Sequence, residues 1–312
     1  MNSPNLTRQT VRRVERRNLH GILLLDKPLG YSSNEALHKA KRILNAKKAG
    51  HTGTLDPLAT GLLPLCFGEA TKFSNDLLNS DKTYEATVCF GVTRVGGDLE
   101  GEILQQRPVT HNATALRSVL QRFTGQIMQI PPMHSALKKD GVALYTLARQ
   151  GIEVARAPRA VTVHGLELLD NPQLKEITVN TVVLRTRVSK GTYIRTLAED
   201  IGEALGCGAH LTALRRIAVG NLRIEEAISL QALLEHPTPA DCLQAVDTLV
   251  RHMPCIDLSD TDTQRVLQGQ RLAWPGPEQG IVRMNNLDRF LGLAHIEAGR
   301  LQPTRLLNFD QI

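Results

Sequence analysis

One aspartate of this sequence lies in a loop suited to holding a carboxylate still. Asp56 falls within Gly50-His-Thr-Gly-Thr-Leu-Asp-Pro-Leu-Ala-Thr-Gly61, whose three glycines permit tight turns. Pro57 restricts the backbone of Asp56 to extended angles, so the carboxylate is presented from a stiffened loop. An aspartate held in this way can act as a nucleophile, a general base or a metal ligand, and the spacing does not choose among them. A plain Asp-Pro turn is the structural alternative.

Composition limits the classes of protein to which this loop can belong. The chain has 312 residues, 42% hydrophobic and 22% charged, which is enough apolar surface for a large core and suggests two domains. No stretch reaches the roughly 20 apolar residues of a membrane span, and no secretory signal is expected. Five cysteines without a C-x-x-C pair argue against a disulfide framework and for a reducing cytoplasm. The net charge of +6 favours a polyanionic partner.

The elements that must position Asp56 are a mixture of strands and helices. Apolar runs predict strands at 21–26, 61–68, 84–90, 161–169, 177–188 and 214–220. Helices are predicted at about 112–123 and 193–205, and another begins after Gly30, where Ser32 and Glu35 have the spacing of a capping box. Residues 222–250 are helical in tendency. The order lacks a regular βαβ alternation, which favours an α+β architecture with a mixed or antiparallel sheet.

Four segments stand out by charge or by position. Residues 1–20 are rich in arginine and are predicted to form a mobile basic arm, with a solvated tail as the simpler role. The helix after Gly30 and its exit carry a cluster of basic residues that an ordinary solvated face would also explain: Lys39, Lys41, Arg42, Lys47 and Lys48. Residues 131–159 form a long basic insertion, and such loops usually have a function. Beyond Pro254, short strands at 280–284, 290–297 and 301–307 predict a compact β-rich domain.

Several motifs, taken in order, resemble the TruB family of tRNA pseudouridine synthases. They are Leu24–Gly30, Gly50–Gly61, Ser80–Tyr84, Ile130–Lys138, Ser189–Arg195 and Gly206–Arg216, so the resemblance runs from about Gly21 to Gly220. It implies a catalytic domain over 21–250, with the insertion 131–159 closing on RNA, and a small PUA-like domain over 251–312. The implied reaction isomerises uridine 55 in the T-loop of tRNA: the base is flipped, detached from the sugar and rejoined through carbon. No cofactor is needed, and the chain has no P-loop or dinucleotide-binding fingerprint.

The resemblance also implies roles for individual residues. Asp56 matches the catalytic aspartate, which attacks or deprotonates the ribose or the uracil, and Arg195 matches the arginine that pairs with it. Tyr84 matches the aromatic residue that stacks on the target base, and Leu214 matches an apolar residue on the other side of the uracil. His51 matches the histidine that enters the T-loop where the flipped base had been.

Three further residues are predicted to lie near the site in supporting positions. Lys27 and Tyr193 belong to the matching motifs. The family commonly shows T-D-T-x-D after the strand that contains the tyrosine, whereas this chain reads Thr93-Arg-Val-Gly-Gly-Asp98. The later acid is retained and the earlier one is missing, so Asp98 is kept as a site residue and the residues at 95 and 96 are given no role.

The sequence therefore predicts a cytoplasmic, monomeric and cofactor-free tRNA pseudouridine-55 synthase that recognises the T-stem and loop by shape. Neither a membrane nor a metal is expected as a partner, since Cys207 and His210 alone cannot complete a tetrahedral metal site. Three alternatives stay open. They are a related synthase that works with guide RNA and protein partners, an RNA-binding or RNA-folding protein whose catalysis is incidental, and a metal-dependent hydrolase that uses His51 and Asp56.

Overall fold

The computed structural model of the protein describes residues 15–169 and 180–309. The strands in these ranges are Gly21–Lys27 (β1), Ala49–His51 (β2), Ala59–Phe67 (β3), Lys82–Phe90 (β4), Val92–Arg94 (β5), Ile103–Gln106 (β6), Gly125–Gln129 (β7), Lys138–Lys139 (β8), Val142–Ala143 (β9), Arg159–Leu168 (β10), Thr181–Val188 (β11), Ala209–Val219 (β12), Leu222–Arg223 (β13), Ile228–Ser229 (β14), Cys255–Asp257 (β15), Leu272–Ala273 (β16), Gly280–Asn286 (β17), Arg289–Glu297 (β18) and Arg300–Leu306 (β19). The helices are Ser33–Ile43 (α1), Ser74–Leu78 (α2), Ala113–Arg122 (α3), Leu144–Arg149 (α4), Ile194–Ala204 (α5), Leu230–Glu235 (α6) and Asp260–Leu267 (α7).

A large mixed sheet forms the body of the protein. Its strands follow the order β14-β1-β3-β12-β4-β11-β10-β7, with β2 beside β3 and β13 beside β12. The pairs β1–β14 and β3–β12 are parallel, and the other pairs are antiparallel. The predicted α+β class with a mixed sheet is therefore confirmed. Strands β3, β12 and β4 lie at the centre of the sheet, where side chains from distant parts of the chain meet.

Helices cover the sheet through their apolar sides. Leu116 of α3 and Leu197 of α5 belong to the same buried cluster as Val88 of β4. Leu37 of α1 belongs to a second cluster that includes Leu63 of β3. The capping box predicted at the start of α1 is confirmed, since the Ser32 hydroxyl accepts from the Glu35 amide at 3.2 Å and the Glu35 carboxylate accepts from the Ser32 amide at 2.8 Å.

Gly61 lets β3 pass directly against β12. Its φ is +101°, and a Cβ at this position would lie 2.3 Å from the Arg216 carbonyl oxygen. We expect Gly61→Ala to destabilise the protein by about 3–5 kcal/mol, because the strained backbone angle and the overlap with β12 add together. Gly125→Ala is the matched control, since Gly125 has a φ of +103° but open space around its Cβ position, and it should cost about 1–2 kcal/mol. Urea denaturation measures both values, and equal losses would show that contact with β12 is not the cause.

A second sheet makes up the C-terminal part of the chain. Its strands follow the order β15-β17-β18-β19-β16 around a small core of its own, in agreement with the predicted β-rich, PUA-like C-terminal unit. This unit packs on the large body through Phe290, whose ring centroid lies 5.4 Å from that of Phe73. Arg305 also forms an ion pair with Asp76 at 2.5 Å. The boundaries predicted for the domains remain a prediction.

Several local predictions differ from the structure. The helical tendency of 222–250 is wrong in the main, because most of this segment forms short strands, turns and 3₁₀ helices, and α6 is its one α-helix in the described chain. The strand predicted from 214 begins earlier, at Ala209. The insertion 131–159 contains the hairpin β8–β9 and the helix α4. Residues 1–14 of the predicted arm and 170–179 lie outside the described residues, whereas Arg17 is hydrogen-bonded to Asn45 and Lys47.

Candidate active site

The loop that carries Asp56 joins β2 to β3 and is fastened at several points. The buried Ser33 hydroxyl bonds both to the Leu55 amide at 2.8 Å and to the Leu55 carbonyl at 3.1 Å. The Gly30 amide donates to the Pro57 carbonyl at 2.9 Å, and the Ala59 amide donates to the Asp56 carbonyl at 3.0 Å. The backbone on both sides of Asp56 is therefore held, while 47% of its side chain remains exposed.

Arg195, in the first turn of α5, joins this loop to two other segments. Its Nη2 lies 2.9 Å from Oδ2 of Asp56 and donates to the His134 carbonyl at 2.7 Å. Its Nη1 donates to the Gly96 carbonyl at 2.9 Å and lies 3.7 Å from Oδ2 of Asp98. Because the side chain is only 9% exposed and its guanidinium is a rigid fork, these contacts fix the direction in which it faces Asp56.

A cleft opens beside this ion pair. Its walls are Asp56, Leu58, Ala59, Asp98, Arg195 and residues 211–214. Leu214 reaches it from the centre of the sheet, where its backbone pairs with Ala59 of β3 and Ala86 of β4. Tyr84 lies two residues before Ala86 on the same face of β4 and, like Leu214, packs against both the cluster that includes Val88 and the cluster that includes Leu63. A half-exposed carboxylate thus borders an apolar wall, which suits a planar base better than a hydrated ion.

Lys27 is buried at the end of β1, close to the Asp56 loop. Its ammonium donates to the Pro28 carbonyl at 3.0 Å and to the Tyr31 carbonyl at 2.6 Å. Burial lowers the pKa of Lys27 to about 8, and the negative charge of Asp56 opposes part of that shift. The ammonium group therefore stabilises the turn after β1 and places a positive charge near Asp56.

The lowered pKa of Lys27 predicts a change of stability with pH. Between about pH 8 and 10.5 the lysine binds its proton more tightly in the unfolded chain than in the folded one, so its contribution to folding should rise with pH. The unfolding free energy of the parent protein relative to Lys27→Met should therefore increase across this range and stay level below it. Denaturant titrations at several pH values measure this difference, and Lys139→Met, at an exposed lysine, is the control. Parallel curves for the parent and Lys27→Met would contradict the prediction.

His51 is the last residue of β2, the strand that pairs with β3 through backbone hydrogen bonds. Burial lowers its pKa, and the positive charge of Arg216 lowers it further, so the ring is held in the neutral form at pH 7. Its Nδ1 is buried, and within the described residues no hydrogen-bond partner reaches it. A neutral imidazole with a spare polar atom can both stack on a base and form a hydrogen bond.

Tyr193 and Asp98 are each fixed by hydrogen bonds to neighbouring segments. The side chain of Gln129 accepts from the Tyr193 amide at 3.0 Å and donates to its carbonyl at 3.2 Å, just before α5 begins. Burial raises the pKa of Tyr193, which keeps its phenol protonated at neutral pH. Asp98 accepts from the Glu100 amide at 3.0 Å and forms a backbone bridge with Leu211.

Arg216 is a buried cation to which the sequence assigned no role. It is 1% exposed, and it donates from Nε to the Leu62 carbonyl at 2.8 Å, and from its two terminal nitrogens to the Thr54 carbonyl at 3.4 Å and the Gly53 carbonyl at 3.3 Å. It thereby ties the start of the Asp56 loop to β3. Its signal in the sequence is its position at the end of the motif Gly206–Arg216, which does not distinguish a buried arginine from an exposed one.

Sequence patterns also do not identify Glu199 or the backbone carbonyls that accept hydrogen bonds from Arg195. Glu199 lies one helical turn after Arg195, and its carboxylate fills the space over Gly97, where a Cβ would be 2.8 Å from it. Burial, with the nearby charge of Asp200, raises the pKa of Glu199 to about 7. The segment 93–98 therefore contributes through the Gly96 carbonyl and the space at Gly97, although it lacks the earlier acid of the family pattern.

A groove of about 410 Å³ lies next to the site on the side of the insertion. Its lining includes apolar Val95, Ile130 and Ile152, together with the polar Arg156 and Glu199.

Within 15–169 and 180–309, no group of three or more His, Cys, Asp or Glu residues is arranged to hold a metal ion. No helix of these ranges is long and apolar enough to cross a membrane.

Comparison with family models matches nearly the whole length of the chain. Residues 41–194 match the TruB family pseudouridylate synthase N-terminal domain, 195–251 match the tRNA pseudouridylate synthase B C-terminal domain, and 254–307 match the pseudouridine synthase II TruB C-terminal model. The tRNA pseudouridine synthase B of Cupriavidus pinatubonensis is 53% identical over 309 residues, covering 95% of this chain and 96% of that protein. The protein of the same name from Azoarcus sp. is 51% identical over 298 residues, covering 95% and 97%.

Solved structures with the same fold include larger assemblies. A chain of an H/ACA RNP bound to a substrate RNA containing 2'-deoxyuridine matches with a TM-score of 0.70 and 25% identity, covering 94% of this chain and 86% of the other. A chain of a Cbf5-Nop10-Gar1 complex matches with a TM-score of 0.70 and 27% identity, covering 93% and 85%.

Proposed function

The chain belongs to the TruB family of pseudouridine synthases, and from this premise we propose that it converts uridine 55 in the T-loop of tRNA to pseudouridine. The observation that carries the proposal is the ion pair of Asp56 and Arg195 beside a cleft with an apolar wall. In the reaction the bond from the uracil nitrogen to the sugar breaks, and a bond from the C5 carbon to the sugar forms. The C5 proton leaves and the freed nitrogen gains one, so substrate and product contain the same atoms.

Asp56 is the catalytic residue of this proposal, as a nucleophile or as a base. Either role needs an ionised carboxylate that reaches the substrate, because a protonated acid does neither. The contact with Arg195 holds the direction of this carboxylate, while the exposed half of the side chain is open to RNA.

The flipped uracil is proposed to lie between Tyr84 and Leu214. Both residues come from adjacent central strands and pack against the same two buried clusters. Stacking on an extruded base is worth roughly 1–3 kcal/mol, which offsets much of the cost of unstacking it. His51, with its neutral ring, is proposed to enter the loop in place of the base, and Lys27, Tyr193 and Asp98 hold these groups in position.

The insertion 131–159 is proposed to close on the T-loop. Its basic residues can neutralise phosphates, and the groove beside the site separates part of this segment from α5. We further propose that the enzyme works as a monomer in the cytoplasm, with the catalytic domain over 21–250 and the PUA-like domain over 251–312.

A guide-RNA-dependent synthase is the second candidate, because the fold is shared with a chain of the H/ACA RNP over 94% of the present chain. The relatives that are more than 50% identical over nearly the full length are named tRNA pseudouridine synthase B, which favours the first candidate. The two candidates differ in whether the purified protein modifies free tRNA without added guide RNA.

The deciding experiment incubates purified protein with unmodified tRNA transcript and a chelator, and then maps pseudouridine at single-nucleotide resolution. The proposal expects one product, at position 55. No product without added guide RNA and proteins would favour the guided synthase. Tight binding without product would favour an RNA-folding protein, and activity lost to the chelator would favour a metal-dependent enzyme.

A further inference from the structure

A basic surface lies at the far end of α1 from the Asp56 loop. Its members are side chains from the first described segment, from the last turn of α1 and from the turn before β2: Arg16, Arg17, Lys41, Arg42, Lys47 and Lys48. Two hydrogen bonds bring these three segments together, because the Arg17 amide donates to the Asn45 carbonyl at 2.7 Å and the Lys47 amide donates to the Arg17 carbonyl at 2.9 Å. Arg17 also forms a parallel bridge with Ala46. The cluster is therefore a product of the fold and extends beyond the helix itself.

The positive charge of this surface is only partly offset, since one acid, Glu15, lies beside its six basic residues. Within the described chain, none of its six side chains forms an ion pair, and five of them are exposed while Lys41 is partly exposed. The acids from position 15 to 51 are Glu15, Asp26 and Glu35. Asp26 is bound to Arg215, and Glu35 closes the capping box at the opposite end of α1. A surface of this kind binds a polyanion favourably because binding releases the counterions condensed on the polyanion.

Two elements lead directly from the basic surface to the active site. Strand β2 connects Lys48 to His51, which places the two Cα atoms about 10 Å apart at the usual rise per residue. Helix α1 runs about 14 Å from Arg42 of the basic surface to Ser33, which holds Leu55. An RNA whose target nucleotide lies at Asp56 therefore carries other phosphates within reach of the surface.

We propose that the surface formed by Arg16, Arg17, Lys41, Arg42, Lys47 and Lys48 binds tRNA phosphates outside the target loop. This inference rests on the proposed function and adds a second contact region to it. The contacts are to phosphates, so they anchor the tRNA without reading its sequence. They should contribute to affinity and to its dependence on salt, and not to the chemical step.

The test compares tRNA binding by two double variants of this surface, Lys47→Gln with Lys48→Gln and Arg16→Gln with Arg17→Gln, with binding by the parent protein. The matched control is Arg271→Gln with Arg300→Gln, which removes two exposed arginines, one just before β16 and one at the start of β19. Affinity for unmodified tRNA is measured from 50 to 200 mM salt. Each surface variant should reduce the slope of log affinity against log salt by about two, so that the parent loses about tenfold more affinity over this range. The control should keep the slope of the parent.

Pseudouridine formation at saturating tRNA is measured on the same proteins and should be unchanged by the surface variants. Repeating the titration with an isolated T-arm hairpin separates two sources of phosphate. A loss of slope with the hairpin assigns the contact to the T-stem, a loss only with full-length tRNA assigns it to the rest of the molecule, and both support the proposal. Slopes equal to that of the parent on both RNAs would overturn it. A parent that binds tRNA but forms no pseudouridine would instead contradict the proposed function.

Discussion

Replacing Asp56 by asparagine should lower the rate of pseudouridine formation by about 10³–10⁴-fold or more, because the amide is neither a nucleophile nor a base at neutral pH. The amide has nearly the shape of the carboxylate, and the loop is held by backbone bonds and by Ser33, so the fold should be kept. Affinity for tRNA should change by less than about threefold, since the proposed phosphate contacts lie elsewhere. Single-turnover kinetics and a binding titration on the same RNA measure the two effects separately.

Asp262→Asn is a matched control for this substitution. Asp262 is partly exposed in the first turn of α7 and pairs with Arg265, so the change should leave the rate within about twofold of the parent. A rate for Asp56→Asn within tenfold of the parent would remove Asp56 from the catalytic role. A loss of tRNA binding in proportion to the loss of rate would show that Asp56 contributes to binding and not to chemistry.

Replacing Arg195 by lysine should lower the rate by about 10²–10³-fold at saturating tRNA, with a small change in KM. The guanidinium uses both ends of its fork, since Nη2 contacts Asp56 and the His134 carbonyl while Nη1 contacts the Gly96 carbonyl and lies near Asp98. A single ammonium cannot occupy both positions, so the carboxylate of Asp56 loses its fixed direction. Steady-state kinetics separates kcat from KM, and thermal unfolding checks that the variant is folded.

Arg185→Lys tests whether any arginine in an ion pair behaves in this way. Arg185 pairs with Glu85 at 2.6 Å across two strands of the same sheet, but it is 45% exposed. We expect less than a threefold change in rate, because exposed pairs contribute little. An Arg195→Lys enzyme that keeps a third or more of the parent kcat would contradict the positioning role of the guanidinium.

The strands and helices with strong local signals could be predicted, and those that depend on distant partners could not. The apolar alternation of β4, the capping box of α1 and the three long C-terminal strands are local features of the sequence. The segment after Leu222 has helical tendency, yet its short strands pair with β12 and β1. Backbone pairing with these neighbouring strands outweighs the weak helical propensity of so short a segment.

The sequence by itself determined which residues can do chemistry. The stiff Asp-Pro loop, the aromatic at the start of β4 and the arginine at the start of α5 can be identified from residue types and from motifs that resemble one family. The tertiary structure alone decided which groups support them. Arg216 is buried under the Asp56 loop, two backbone carbonyls hold Arg195, and Arg17 joins the turn after α1. These contacts depend on strand order and on loops that meet across the fold, and the local periodicity of a chain does not contain that information.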